Sequence, residues 1–200
     1  MSDETVNILL FLAQGFEDLE AVATLDVFGW TQYRKHLRKV SVTTAGFHQE
    51  VKGRFGLTIN PDLPYAEIAP KDYRALVLPG GFHSHGFDEA YDSKIHRLAR
   101  DIHANGGYIA TMCVGVLPIA DAGLLTGKEA TTYPHSRFHD NIERLKAGGA
   151  RVVDRHVVYG RSDNLLRWAR IIPRGGVSFD GMFVLGAEMT QEVRRFMIYV

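Results

Sequence analysis

The run Val6-Asn-Ile-Leu-Leu-Phe-Leu-Ala13 is apolar at every position but one. A strand with one wet face alternates polar and apolar residues, so an almost unbroken apolar run is buried on both faces, as in the middle of a parallel sheet. Parallel neighbours must be joined by crossovers, commonly helices, and the chain supplies these in turn. Asp18, read as an N-cap, opens a helix to about residue 36 on the spacing Ala21, Leu25, Phe28. Strands are expected at 40–45 and 57–59, and Tyr73-Arg-Ala-Leu-Val-Leu78 is a further core strand stopped by Pro79-Gly80-Gly81. A helix over 93–104, ended by Asn105-Gly106-Gly107, leads into a strand at 108–112. Beyond it the pattern predicts a strand at 130–133, a surface helix at 134–147, a β pair formed by 151–159 and 164–168, and a closing helix at 176–196. The fold class is therefore α/β: a single domain over residues 1–200 with a doubly wound, mostly parallel sheet sandwiched by helices.

The strand at 108–112 meets the only cysteine of the chain, Cys113, and Gly115 two residues later is expected to permit a sharp strand-to-helix turn. A side chain on such an elbow sits at the carboxyl edge of the sheet and the amino end of a helix, where the macrodipole favours a thiolate. The same cysteine is also compatible with a buried structural thiol.

Composition limits the remaining choices. Lysine plus arginine (23) balances aspartate plus glutamate (23), so no overall bias toward nucleic acid or anionic membrane exists. The arginines 151, 155, 161, 167, 170 and 174 form a local basic stretch that reads as solvated positions alternating with strand residues. A lone cysteine forms no internal disulfide and suits a reducing compartment. Neither a bilayer-spanning run nor a charged-then-apolar leader is legible, and a cytoplasmic location is expected.

Ligands of open parallel sheets bind outside the carboxyl ends of the strands. Three turns leave strands there. The first carries Glu17 and Glu20, three apart at the start of a helix; the second, Pro79-Gly80-Gly81, offers a glycine whose backbone N–H can approach a ligand closely; the third brings Cys113 and the N–H of Val114. An acid or base, an oxyanion hole and a nucleophile are the parts of covalent catalysis. Each feature alone also has a structural explanation: first-turn carboxylates suit a helix dipole, and Pro-Gly-Gly makes ordinary turns. Nine histidines raise the question of metal, above all His83-Ser-His85 and His135 with His139. Solvated loop and helix histidines account for them, and no metal is assigned, although His83 or His85 could curl toward Cys113 and serve as a base.

Four segments, Gly15-Phe-Glu-Asp-Leu-Glu-Ala-Val, Ala75-Leu-Val-Leu-Pro-Gly-Gly81, Met112-Cys113-Val-Gly and Ala122-Gly-Leu-Leu-Thr-Gly-Lys-Glu-Ala-Thr-Thr-Tyr-Pro134, resemble the ThiJ/PfpI superfamily in order and spacing. The resemblance implies a flavodoxin-like fold of the class I glutamine amidotransferase-like type, usually dimeric or larger, with a reactive cysteine at a nucleophile elbow. On the matching positions it makes Cys113 the nucleophile, Glu20 the buried acid beside it, and Gly81 and Val114 the backbone donors, with Glu17 as the lesser candidate acid. Residues 175–180 are similar to the isocyanide hydratase and transcription-regulator branch. The peptidase branch carries a histidine where this chain has Val114, and the deglycase branch one where it has Tyr133, so neither histidine-based triad transfers.

The expectation is a cysteine-dependent enzyme acting on a small electrophile, a reactive aldehyde or an isonitrile, with Cys113 adding to carbon and Glu20 moving protons. No organic cofactor is needed, and the protein is expected to be a homodimer. The alternatives are a redox or stress sensor, or a chaperone-like protein, using oxidation of Cys113, and further off an intracellular peptidase or the ligand-sensing domain of a transcription regulator.

Overall fold

The computed structural model describes residues 5–35, 37–134, 136, 139–155, 157–159 and 167–169. Its strands are β1 (Val6–Phe11), β2 (Val40–Gly46), β3 (Val51–Lys52), β4 (Thr58–Ile59), β5 (Leu63–Pro64), β6 (Ala75–Leu78), β7 (Tyr108–Met112), β8 (Glu129–Ala130), β9 (Arg151–Val152), β10 (Val157–Tyr159) and β11 (Arg167–Ala169). The α-helices are α1 (Asp18–Gly29), α2 (Ser93–Ala104), α3 (Val116–Asp121) and α4 (Asn141–Ala147). Seven strands form the main sheet in the order β10-β11-β7-β6-β1-β2-β5. All of its pairings are parallel except β10 with β11.

The apolar run of β1 is buried on both sides, as its composition requires. Leu9, Phe11 and Ala13 join Leu76 and Leu78 of β6 in a core covered by α2 and α3. Ile8, Leu10 and Leu12 join Ala75 and Val77 in a second core that takes in Ala21 and Phe28 of α1. Alternate side chains of a strand point to opposite faces, so one strand serves both layers. Helix α2 buries Ile95, Leu98, Ala99 and Ile102, the i, i+3, i+4, i+7 stripe of an amphipathic helix, and Asp92 caps it by accepting the Lys94 N–H at 2.8 Å.

Several boundaries differ from the expectation. Helix α1 stops at Gly29 and continues as a 3-10 turn, Trp30–Tyr33, and its N-cap is Glu17 rather than Asp18. The Asp18 carboxylate is instead taken by the N–H groups of Phe55 (2.9 Å) and Leu57 (2.7 Å). The strand expected at 57–59 is β4, which pairs antiparallel with β3 in a hairpin outside the main sheet. The strand expected at 130–133 is the two-residue β8, and the helix expected from 134 starts only at Asn141, capped by Asp140. Of the pair expected from 151–159 and 164–168, β10 with β11 is observed antiparallel, whereas residues 151–152 form β9 and pair with β8 in a separate small sheet. The closing helix at 176–196 lies outside the described residues. Among the described residues no helix is long and apolar enough to cross a membrane.

Candidate active site

From β1 the chain steps to β2 on one side, and β6 is later added on the other. The strand order thus reverses between β1 and β6, which opens a crevice at their carboxyl ends. The turns leaving these two strands are tied together. The Glu17 N–H donates to the Gly80 carbonyl (2.8 Å), the Phe82 N–H donates to the Gly15 carbonyl (2.9 Å), and Phe16 and Gly81 form an isolated antiparallel bridge.

Strand β7 delivers Cys113 beside them. Cys113 opens a 3-10 turn, Cys113–Gly115, that runs into α3. Its φ is 51°, the one positive value at a non-glycine residue among the described residues. A side chain in the left-handed region costs about 1–3 kcal/mol and persists where surrounding structure enforces it. The sequence reading gave that conformational freedom to Gly115, but Gly115 is helical, with φ −59°. It is a glycine for space: a Cβ there would lie 2.5 Å from the Leu78 carbonyl oxygen and 2.6 Å from that of Pro79. Gly80 is equally pressed. A Cβ on it would come 2.8 Å from the Cys113 Cβ, 3.1 Å from the Val114 nitrogen and 3.2 Å from Glu20 Oε2. Thiol, backbone donor and carboxyl therefore converge on one glycine. Thr132 Oγ1 steadies the elbow by donating to the Cys113 carbonyl (3.2 Å).

Glu20 is only 1% exposed, and its Oε2 accepts the Gly80 N–H at 2.6 Å. Burial raises its pKa to about 8; the Gly80 hydrogen bond opposes this, and the charge of Glu17 adds to it. Desolvation outweighs the hydrogen bond, so at neutral pH the carboxyl holds its proton. Glu17 is half-buried, and its Oε2 caps α1 by accepting the Glu20 N–H at 2.9 Å. Burial raises the Glu17 pKa as well.

The histidines separate. The His83 ring reaches Tyr91, stacking on it with centroids 5.4 Å apart and planes 21° apart, and its Nδ1 lies 2.6 Å from Asp88 Oδ1. His85 Nδ1 meets Ser84 Oγ at 2.8 Å, and its Cβ and backbone pack on Gly15. Tyr133 is half-buried against the same core cluster as Cys113 and Tyr91, and its carbonyl accepts from Asn141 Nδ2 at 2.8 Å. Gly81 faces Phe87, whose ring would be the first atoms met by a Cβ there. The sequence reading missed Gly80 as the contact glycine, and it missed Asp88 and Tyr91 altogether. His135 lies outside the described residues, and among those described no three His, Cys, Asp or Glu side chains gather as a metal site.

Comparison with known proteins agrees with this architecture. The model of the DJ-1/PfpI family matches residues 6–166. A deglycase of Pyrococcus abyssi is 30% identical over 130 residues, covering 64% of this chain and 73% of its own. The DJ-1alpha protein of Drosophila melanogaster is 30% identical over 204 residues, 96% of this chain and 84% of its own. The crystal structure of Drosophila melanogaster DJ-1beta superposes with a TM-score of 0.75 at 25% identity, covering 98% of this chain and all of that one.

Proposed function

The chain belongs to the DJ-1/PfpI family, and from that premise we propose that it is a cysteine-dependent enzyme acting on a small electrophilic carbonyl compound. Relatives named deglycases support a deglycase-like or related activity. The observation that carries the reading is the convergence of a strained cysteine and a buried, protonated carboxyl on Gly80. As a thiolate, Cys113 adds to the carbonyl carbon, and charge develops on the carbonyl oxygen. The N–H groups of Val114 and Gly81 receive that charge, and Glu20 passes it a proton. A protonated acid suits this step twice over, because it does not compete with the thiolate as a second anion and it has a proton to give.

We extend the proposal to the assembly. Leu19 (48% exposed), Val22, Trp30 (50%) and Tyr33 (78%) leave the outer side of α1 and its following turn apolar and open. Val22, Trp30 and Tyr33, together with Leu25, Asp26 and Gly29, line a groove of about 670 Å³. A second copy of the chain covers this face, making the protein a homodimer. Phe28, two residues before Trp30, is not part of this surface and lies in the core (3% exposed).

The test is turnover of a panel of α-oxoaldehydes and isonitriles by the wild type and by Cys113→Ala. Cysteine-dependent turnover is expected. Stoichiometric oxidation of Cys113 by peroxide, with no turnover of any panel member, would instead assign the site to redox sensing.

A further inference from the structure

An arginine in a folded chain commonly gives its N–H groups to a carboxylate or a carbonyl. Arg144 does so with Asp121 (2.7 Å) and Arg155 with Glu129 (3.1 Å). The Arg54 guanidinium does not. Among the described residues its partners are two aromatic rings, with Cζ 5.4 Å from the Phe55 centroid and 5.5 Å from that of Phe82. Ring faces attract the cation but offer no oxygen to its donors, so the forked edge of the guanidinium is left for another molecule. Phe55 and Phe82 are 67% and 39% exposed and meet edge to face at 5.9 Å, so the cation rests on a small apolar platform open to solvent.

This platform is built into the mouth of the crevice. Arg54 lies in the loop between β3 and β4, which the Asp18 carboxylate at the start of α1 pins through the N–H groups of Phe55 and Leu57. The Arg54 N–H donates to the Phe16 carbonyl (2.8 Å) and the Gly15 N–H to the Lys52 carbonyl (2.8 Å), which fastens the same loop to the turn after β1. Phe82 comes from the turn after β6, directly beyond Gly81, and Gly81 is bridged to Phe16. Arg54 therefore stands where the turns leaving β1 and β6 meet, on the rim of the crevice to which β7 delivers Cys113. The charge there is single, because Lys52, two residues before Arg54, is paired with Glu50 (3.1 Å). One planar fork matches the two oxygens of a carboxylate, whereas a doubly charged phosphate would call for a second cation.

We propose that Arg54, held against Phe55 and Phe82, selects what enters the site: it binds the carboxylate of a small electrophile whose apolar body lies along the two rings and whose reacting carbon lies toward Cys113. This rests on the cysteine-dependent reading above and gives it a substrate class, electrophilic carbonyl compounds that carry a carboxylate at the end remote from the reacting carbon. Arg54 acts in binding alone. Neutral compounds of the same shape enter without this contact, and salt weakens the attraction because the rim is open to solvent.

The experiment follows alkylation of Cys113 in the full chain by two reagents of one shape, 4-(bromomethyl)benzoate and 4-(bromomethyl)benzamide, of which only the first is charged. The Cys113 sulfur displaces bromide from either, so maximal rate and half-saturating concentration are read without turnover, with Cys113→Ala as the blank. In the wild type the benzoate half-saturates at about 5- to 10-fold lower concentration than the benzamide, a margin between that of an exposed ion pair and that of a charge-assisted hydrogen bond. Arg54→Gln removes the margin by raising the benzoate value, with the maximal rates and the benzamide value unchanged. Arg54→Lys, which keeps the charge without the fork, retains part of it. Added salt narrows the margin in the wild type and does nothing in Arg54→Gln. No margin in the wild type, a wild-type margin in Arg54→Gln, or equal weakening of both reagents by Arg54→Gln overturns the assignment and leaves the proposed function standing. A phosphonate of the same skeleton that half-saturates below the benzoate overturns the choice of a carboxylate. Failure of both reagents and of iodoacetamide to label Cys113 in the folded wild type removes the cysteine-dependent reading, and the assignment with it.

Discussion

The Glu20 carboxyl accepts the Gly80 N–H at 2.6 Å, so a side chain from the helix after β1 is fastened to the turn after β6 across the crevice between them. The bond holds the carboxyl against Gly80, the residue that Cys113 and the Val114 nitrogen also crowd. Its geometry and its protonation state are separable, and the two can be tested apart.

Replacing Glu20 by glutamine preserves the shape of the side chain, including an oxygen able to accept the Gly80 N–H, but removes the transferable proton. Glu20→Gln is expected to keep the wild-type rate of Cys113 alkylation while turnover drops about 10²- to 10⁴-fold. Glu20→Ala changes both rates. Full turnover by Glu20→Gln would take Glu20 out of the chemistry and leave Glu17 as the carboxyl to examine.

Burial of Glu20 also makes stability depend on pH. Its pKa is about 8 in the folded protein against 4.5 when exposed, so between these values the folded state holds the extra proton. Stability is therefore full below pH 4.5 and declines as pH rises toward 8. Glu17, whose pKa is also raised, contributes in the same sense. Denaturant titrations across this range should show a decline in the wild type that Glu20→Gln flattens in large part; an unchanged slope in the variant would contradict the assignment.

The two crowded glycines should respond differently to alanine. At Gly80 the added methyl meets the Cys113 side chain as well as backbone, so Gly80→Ala displaces the thiol and suppresses turnover at a cost of about 1–3 kcal/mol. At Gly115 it meets two backbone carbonyls that cannot give way, so Gly115→Ala is the more destabilising change. Thermal melts of the two variants check the order.

Strain at position 113 gives a comparison free of chemistry. At an ordinary helical position glycine is about 1 kcal/mol less stable than alanine. With φ at 51° the difference should vanish or reverse, so Cys113→Gly should melt no lower than Cys113→Ala. A clearly lower melting temperature for the glycine variant would mean that the elbow is relaxed.

The proposed dimer makes a direct prediction at the exposed aromatic rings. Trp30 and Tyr33 stack edge-to-face at 5.9 Å on the open side of α1. Trp30→Glu combined with Tyr33→Glu places two charges on that face. Light scattering at micromolar concentration should report a dimer mass for the wild type and a monomer mass for the double variant; a monomeric wild type would refute the assembly.

The parts legible in the sequence were those with a strong one-dimensional signature. Strands β1, β6 and β7 are apolar on both faces, and α2 has a clean buried stripe with a cap before it and Asn105-Gly106 after it, so its bounds were read to the residue. The two-residue strands and the polar approach to α4 have no such signature, because their positions depend on distant partners. In the site, the Cys113 elbow and Glu20 were legible because each adjoins a core element. Tyr91 and Asp88 were not: they reach His83 along the consecutive 3-10 turns at 83–85 and 87–91, a path without periodicity. Assigning the left-handed residue to Gly115 followed propensity, and tertiary packing placed it on the cysteine.

The left-handed backbone at Cys113 has an evolutionary consequence. Position 113 selects against most side chains on backbone grounds alone, and the residues that sit there with least strain are glycine, then asparagine and aspartate. A descendant of this chain with no need of the chemistry proposed for Cys113 would gain stability by drifting to one of them. On the proposed function, glycine or asparagine at this single codon would mark lineages that have retired the site, and cysteine those still bearing the cost of keeping it.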